Sequence, residues 1–211
     1  MKVLIFFVLI IPYLAGAQSS DNELVRVLDL IPDVQLDLKY NTTDNFTEQK
    51  LYSTGECLLA LGAVKQLILV QDSLRNIRSF NGTSYPEGLG LKIWDGYRPR
   101  AIQYLMWEIF PNPVYVANPS SGSIHNRGGA VDLTLVDLHT GEELALPTEF
   151  DYFGEQAHHD YPNLPSDVIA NRELLRSMMT EIGGFQIYSF VWWHYTWAPS
   201  KAYPLLDFQM K

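Results

Sequence analysis

Apolar and polar side chains alternate along Val34-Gln-Leu-Asp-Leu-Lys-Tyr40. A period of two is the signature of a strand with one buried face, so a half-buried strand is expected there. Asn41–Gln49 is polar and rich in turn residues and reads as a loop. From Glu56 to Arg78 the period changes. Leu61, Val64, Ile68 and Leu74 recur at helical spacing with few breakers between them, which predicts one long amphipathic helix. After the turn-rich Asn81–Gly88, Leu89–Trp94 reads as a short strand that runs out at Asp95-Gly96. Pro99 suits the first turn of a helix reaching about Ile109. Pro111–Gly122 holds three prolines and is expected to be loop. Ala130–Val136 reads as a buried strand, followed by polar turns over Asp137–Pro147. Ser166 is placed as the N-cap of a helix to about Glu181, closed by Gly183-Gly184. Phe185–Phe190 and the aromatic run after it supply one or two closing strands. Helices and strands are mixed without regular alternation. That predicts an α+β fold with helices packed on a mostly antiparallel central sheet.

The first residues follow a different pattern. Lys2 is a short positive end, Val3–Leu14 is apolar apart from Pro12 and Tyr13, and Ala15-Gly-Ala17 is a small-x-small cleavage signal. This is the pattern of a secretory signal peptide over residues 1–17. A membrane-spanning helix needs about 20 apolar residues, which this run does not reach. The expectation is a single mature domain over residues 18–211, secreted or periplasmic, with no membrane span once the leader is removed.

Composition narrows the function. The chain has 211 residues, 47% hydrophobic and 18% charged, enough apolar side chain to bury a core and too much for a disordered chain. The net charge of -9 and the lack of any Lys/Arg cluster exclude a groove for nucleic-acid phosphates. A lone cysteine, Cys57, excludes an internal disulfide and a cysteine-based zinc site.

Three segments carry candidate chemistry. In Ser123-Ile-His125-Asn-Arg-Gly128-Gly129-Ala-Val-Asp132, a histidine in a glycine-bearing loop precedes a carboxylate between Val131 and Leu133. A carboxylate on an apolar strand is costly unless it is paired or bound to a metal. Asp132 could instead cap or salt-bridge, with His125 a plain loop histidine. In Val191-Trp-Trp-His194-Tyr195 the histidine sits inside an aromatic strand. Two imidazoles and one carboxylate would leave a fourth tetrahedral position free, as catalytic zinc requires. In Asp95-Gly-Tyr-Arg98-Pro99 an arginine between strand and helix can face a cleft and stabilise negative charge, or pair with Asp95.

Taken in order, these segments resemble the D-alanyl-D-alanine dipeptidases, a branch of the zinc DD-peptidases. The ordered set begins with Asp37-Leu-Lys-Tyr40 and Asn45-Phe46. It continues through Asp95-Gly-Tyr-Arg98-Pro99 and Ser123-x-His125-x-x-Gly128-x-x-x-Asp132. Phe150-Asp151, Gly184-Phe185 and Trp192-Trp-His194-Tyr195 complete it. The resemblance implies a DD-peptidase-like zinc fold and one zinc ion on His125, Asp132 and His194. It implies Arg98 as the group that steadies the tetrahedral intermediate. It assigns Tyr40 and Asp151 to the amino end of a small D-amino-acid dipeptide, and Ser123 to its carboxylate end. One position departs from the pattern. The family's closing motif is Glu-x-x-His with the glutamate as general acid/base, and here Val191 stands three residues before His194. Valine transfers no proton. The alternatives are therefore an impaired dipeptidase, an inactive relative that binds zinc and a peptidoglycan-derived peptide, and a D,D-carboxypeptidase acting on longer wall peptides, which a tight pocket would exclude. Asp151, Glu155 and Glu181 are the carboxylates near enough in sequence to replace the base, while His158 and His159 are assigned no ligand role.

Overall fold

The computed structural model describes residues 20–210; the leader pattern of residues 1–17 lies outside the described residues. The strands are β1 (Leu24–Arg26), β2 (Gln35–Leu36), β3 (Leu58–Ala60), β4 (Ser79–Phe80), β5 (Thr83–Ser84), β6 (Leu89–Asp95), β7 (Ala130–Asp137), β8 (Gln186–Tyr188) and β9 (Val191–Thr196). The α-helices are α1 (Val27–Leu30), α2 (Leu61–Arg75), α3 (Arg100–Ile109) and α4 (Ser166–Ser177). Five strands form the central sheet in the order β2-β6-β7-β9-β8. Only β2 runs parallel to its neighbour; the other pairings are antiparallel. The expected α+β architecture with a mostly antiparallel sheet is present. Among the described residues no helix is long and apolar enough to cross a membrane.

Alternation on β6 and β7 explains where the core sits. Leu89, Leu91 and Ile93 share one face of β6, and Val131, Leu133 and Leu135 share one face of β7. They join Val64, Leu67, Val70 and Leu74 of α2 in one buried cluster. Each of these side chains removes about 1.5–3 kcal/mol worth of apolar surface from water. Gln71, fully buried on the same helix, accepts the Leu91 N–H at 2.9 Å and so ties α2 to the sheet.

Several boundaries differ from expectation. The strand expected over Val34–Tyr40 is only Gln35–Leu36, and Lys39–Asn41 forms a 3-10 turn that carries Tyr40 inward. The helix expected from Glu56 begins at Leu61, because Leu58–Ala60 is wholly buried and pairs with β1. A continuous apolar run serves a buried strand as well as a helix, and pairing with a distant segment decided it. Pro165, not Ser166, occupies the N-cap of α4, with no side-chain cap bond. That α-helix ends at Ser177, and a π-helical turn follows over Met178–Ile182.

One irregularity shapes the functional face. Ile93 pairs with Leu133, yet Asp95 pairs with Asp132, so two residues of β6 oppose one of β7. In regular pleating Asp95 would share the core face of Ile93. The bulge turns it onto the face of Asp132, the re-aiming for which bulges near active sites are known.

Candidate metal centre and its cavity

Three adjacent strands set a row of polar side chains. Asp95 on β6 is registered with Asp132 on β7, and Asp132 with His194 on β9. His125 joins the row from a 3-10 turn, His125–Arg127, that precedes β7. Gly128 closes this turn at φ 68, a left-handed conformation. That φ is what calls for glycine here; an added Cβ would also press on the end of the Leu24 side chain at 2.5 Å and approach the Ala60 backbone nitrogen at 3.0 Å. At Gly129 an added Cβ would fall 1.8 Å from Ser200 Oγ. The glycine pair therefore lets the chain turn His125 inward and pass directly into the strand bearing Asp132.

The donor atoms of His125, Asp132 and His194 all lie within 4.8 Å of one another. His125 Nε2 is 3.2 Å from His194 Nδ1 and 3.5 Å from Asp132 Oδ2. His194 Nδ1 is 2.9 Å from Asp132 Oδ1. A tetrahedral ion with ligands at about 2.0–2.1 Å holds its donors about 3.4 Å apart, close to this spacing. His125 Nδ1 lies 2.7 Å from the Gly96 carbonyl oxygen. A carbonyl only accepts, so the proton sits on Nδ1 and the Nε2 lone pair faces the other two donors. Thr196 Oγ1, 3.2 Å from His194 Nε2, provides the same support for the second imidazole. Two lone pairs and a carboxylate facing one point repel unless a cation lies between them. These residues fit a divalent metal, and imidazole with carboxylate suits zinc better than the all-oxygen sites of calcium or magnesium.

The electrostatics agree. Burial alone would raise the Asp132 carboxyl, but the two imidazoles outweigh it and hold the group well below the usual carboxylate range. Burial lowers His194, against the pull of Asp132 in the other direction. The lowering of His194 favours the neutral imidazole that binds metal, and a cation at this point would hold Asp132 ionised in place of the histidine N–H groups.

Arg98 lies beside this triad, buried rather than on the surface. Its Nε and Nη2 donate to Asp95 Oδ2 at 3.1 and 2.6 Å, and its Nη1 donates to Gln103 Oε1 at 3.0 Å. The guanidinium also sits over the Tyr40 ring, 5.0 Å from its centroid. The pairing with Asp95 and the view of the metal centre, posed as alternatives from sequence, coexist. Sequence reasoning gave Asp95 no role beyond that partner. It also accepts the Tyr52 hydroxyl at 2.6 Å and lies 3.5 Å from His125 Nδ1. The one sequence signal for it is its place in the strand-ending Asp-Gly-Tyr-Arg-Pro segment.

A cavity of about 390 Å³ opens over the triad. Tyr40, Arg98, Ser123, Asp151 and Val191 all line it with the three donors. Ser123 Oγ accepts the His125 N–H at 3.2 Å. Asp151, held at φ 59, accepts the Tyr40 hydroxyl at 3.2 Å and the Phe46 N–H at 3.1 Å. Burial is the main cause that pushes its carboxyl up to about 7. The high aromatic content suits either a firm core or a walled small-ligand pocket, and the wall is formed here by Tyr115, Phe153 and Tyr188, none of which the sequence singled out. Tyr115 and Phe153 stack at 4.6 Å between ring centroids. Their separation along the chain leaves no periodic signal. His158 and His159 are not among the cavity's residues. They pack edge-on against Phe190 and Tyr195 respectively. Glu155 and Glu181 are exposed and line no part of the cavity.

Comparison with known proteins places this geometry. The family described as D-ala-D-ala dipeptidase matches residues 20–209. A D-alanyl-D-alanine dipeptidase of Escherichia coli is 36% identical over 188 residues, covering 89% of this chain and 91% of that protein. One from Enterococcus faecium is 32% identical over 87% of this chain and 96% of its own length. One from Streptomyces coelicolor is 33% identical over 80% of this chain and 88% of its own.

Proposed function

We propose, from the premise that this chain belongs to the D-ala-D-ala dipeptidase family, that it is an exported zinc dipeptidase hydrolysing D-alanyl-D-alanine or a closely related small dipeptide in cell-wall metabolism. The observation that carries this reading is the convergence of His125, Asp132 and His194 at the base of a cavity faced by Arg98. Export rests on the leader pattern in Lys2–Ala17.

The parts divide as follows. His125, Asp132 and His194 would hold one zinc ion, which when bound polarises a carbonyl and makes water a stronger nucleophile at neutral pH. Arg98 is a permanent positive charge whose position is fixed by Asp95 and Gln103. It faces the oxygen on which negative charge grows, and a preorganised charge of this kind lowers the barrier without reorganising. Ser123 at one side of the cavity meets the substrate carboxylate, and Tyr40 with Asp151 at the other meets its amino end. A volume of about 390 Å³ is near the lower limit for ligand pockets and suits a dipeptide better than a longer wall peptide.

Val191 supports a second reading. It lines the cavity where the resembled motif carries its glutamate. On this reading the chain binds zinc and a peptidoglycan-derived peptide without turnover. The two readings separate in a substrate panel of D-Ala-D-Ala, L-Ala-L-Ala and a wall pentapeptide ending in D-Ala-D-Ala. The dipeptidase reading predicts D-alanine release from the first alone. Saturable binding of the first with no release would instead establish the binding protein.

A further inference from the structure

Peptide hydrolysis needs a group that takes a proton from the attacking water and returns one to the leaving nitrogen. The cavity's ionisable side chains can be sorted by what already occupies them. His125, Asp132 and His194 present their free electron pairs to one another as a metal set. Arg98 cannot lose its proton and is held by Asp95. Lys201 is an ammonium that donates to Gln186 Oε1 at 2.8 Å. The phenols ordinarily titrate near 10, and burial raises Tyr40 and Tyr188 further. Asp151 is the remaining acid among the described lining residues.

We propose that Asp151 is the proton shuttle of the hydrolysis in this chain, doing the work that Val191 cannot. The inference rests on the dipeptidase reading above. It moves Asp151 from a seat for the substrate's amine to a catalytic residue. The two places are close by chemistry: one carbon separates a dipeptide's amino nitrogen from its scissile carbonyl. A carboxylate that reaches the amino end of a bound dipeptide also borders the bond that breaks. The Asp151 carboxylate accepts a proton from water as the water oxygen bonds to the carbonyl carbon. It returns that proton to the peptide nitrogen as the C–N bond breaks. One water is consumed, two amino acids leave, and the carboxylate is regenerated.

The geometry holds this group firmly. The Tyr40 hydroxyl lies 3.2 Å from each Asp151 oxygen, and the Phe46 N–H is 3.1 Å from Oδ2. Oδ2 carries the N–H as well, so Oδ1 is the freer oxygen. Burial raises the group to about 7, with Phe46 N–H pulling down, Asp132 pushing up, and Arg98 and Tyr40 pulling down. A shuttle works best when its affinity for the proton matches the working pH.

The test compares wild type, Asp151→Asn, Val191→Glu and the double variant, each zinc-loaded, on D-Ala-D-Ala. Calorimetry of the same dipeptide on the zinc-free proteins gives a readout independent of turnover. The proposal expects Asp151→Asn to lower kcat by about 10²–10⁴-fold, in addition to any loss of dipeptide affinity from its contact with the amino end. It expects the acid limb of the wild-type pH profile to vanish in that variant, and Val191→Glu to restore turnover to it. If Val191→Glu does not fold, the fall in kcat and the lost acid limb decide alone. A variant Asp151→Asn that keeps kcat but loses dipeptide affinity overturns the shuttle and leaves the dipeptidase reading standing. A wild type that binds zinc and dipeptide yet releases no D-alanine overturns both.

Discussion

Asp132 and His194 face each other across β7 and β9, with Asp132 Oδ1 2.9 Å from His194 Nδ1. The register that pairs them is the one that buries Val131, Leu133 and Tyr195 on the other side of the sheet. Slipping the pairing by one residue would expose that core and separate the two candidate ligands at once. The metal centre and the hydrophobic core are thus specified by the same strand pairing.

Through that coupling a metal held by these side chains would stabilise the fold. Binding to the folded chain alone adds RT ln(1 + [L]/Kd), about 4 kcal/mol when the metal is at a thousand times its Kd. Removing metal with a chelator should lower the melting temperature of wild type by several degrees. Asp132→Asn should melt at one temperature with or without chelator. A chelator shift that persists in Asp132→Asn would place the metal elsewhere.

Asp95 is the node that joins Arg98, Tyr52 and His125. Replacing it by asparagine leaves the buried Arg98 charge without its partner, which typically costs 3–5 kcal/mol. It also removes the carboxylate behind the His125 ring, and such outer partners are typically worth 10–100-fold in metal affinity. Denaturant melts and a competitive zinc titration of Asp95→Asn should show both losses. Unchanged zinc affinity would confine Asp95 to the Arg98 side of the site.

His159 is buried with neither ring nitrogen hydrogen-bonded. Burial lowers its folded pKa to about 4, with Arg176 and Arg172 acting in the same direction. The unfolded chain therefore binds more protons than the folded one between about pH 6.5 and 4. This group's contribution is full above the unfolded pKa and is lost as pH falls through that window. His159→Phe should keep the edge-on contact with Tyr195 and remove the unpartnered nitrogens. Stability relative to wild type should rise at pH 7 and rise further at pH 5, with dipeptide affinity unchanged. A gain that does not grow toward acid would show that His159 does not titrate in this range.

Gly129 tests the turn behind His125. An alanine there meets Ser200 Oγ and Cβ at 1.8 and 2.0 Å, and overpacking of that kind costs about 1–3 kcal/mol or more. Gly129→Ala should lower both stability and zinc affinity, and adding Ser200→Gly should recover most of each. Failure of the second change to help would point to backbone strain rather than this contact.

Much of this was legible in the residues. The alternation on Leu89–Trp94 and the apolar run of Ala130–Val136 marked the two central strands, since period and burial are local properties. The triad was legible through the ordered resemblance of its segments; of its members only Asp132, a carboxylate on an apolar strand, called for a partner by itself, and capping or a salt bridge would have met that need. What was not legible depends on register and distance. The bulge between Ile93 and Asp95 is a pairing shift and leaves no composition signal. Leu58–Ala60 reads as helix until its partner at Leu24–Arg26, far along the chain, is known. Asp151, Glu155 and Glu181 were equal candidates by sequence, and only the tertiary fold separates the one that lines the cavity from the other two.

The measurement that bears most directly on the account counts zinc and D-alanine in one sample. Purified wild type and Asp132→Asn are each assayed for zinc per chain by elemental analysis and for D-alanine released from D-Ala-D-Ala. The account predicts about one zinc per wild-type chain for a single tetrahedral site, release of D-alanine, and loss of both in Asp132→Asn. Wild type that hydrolyses the dipeptide without zinc, or Asp132→Asn that retains its full zinc content, would contradict it.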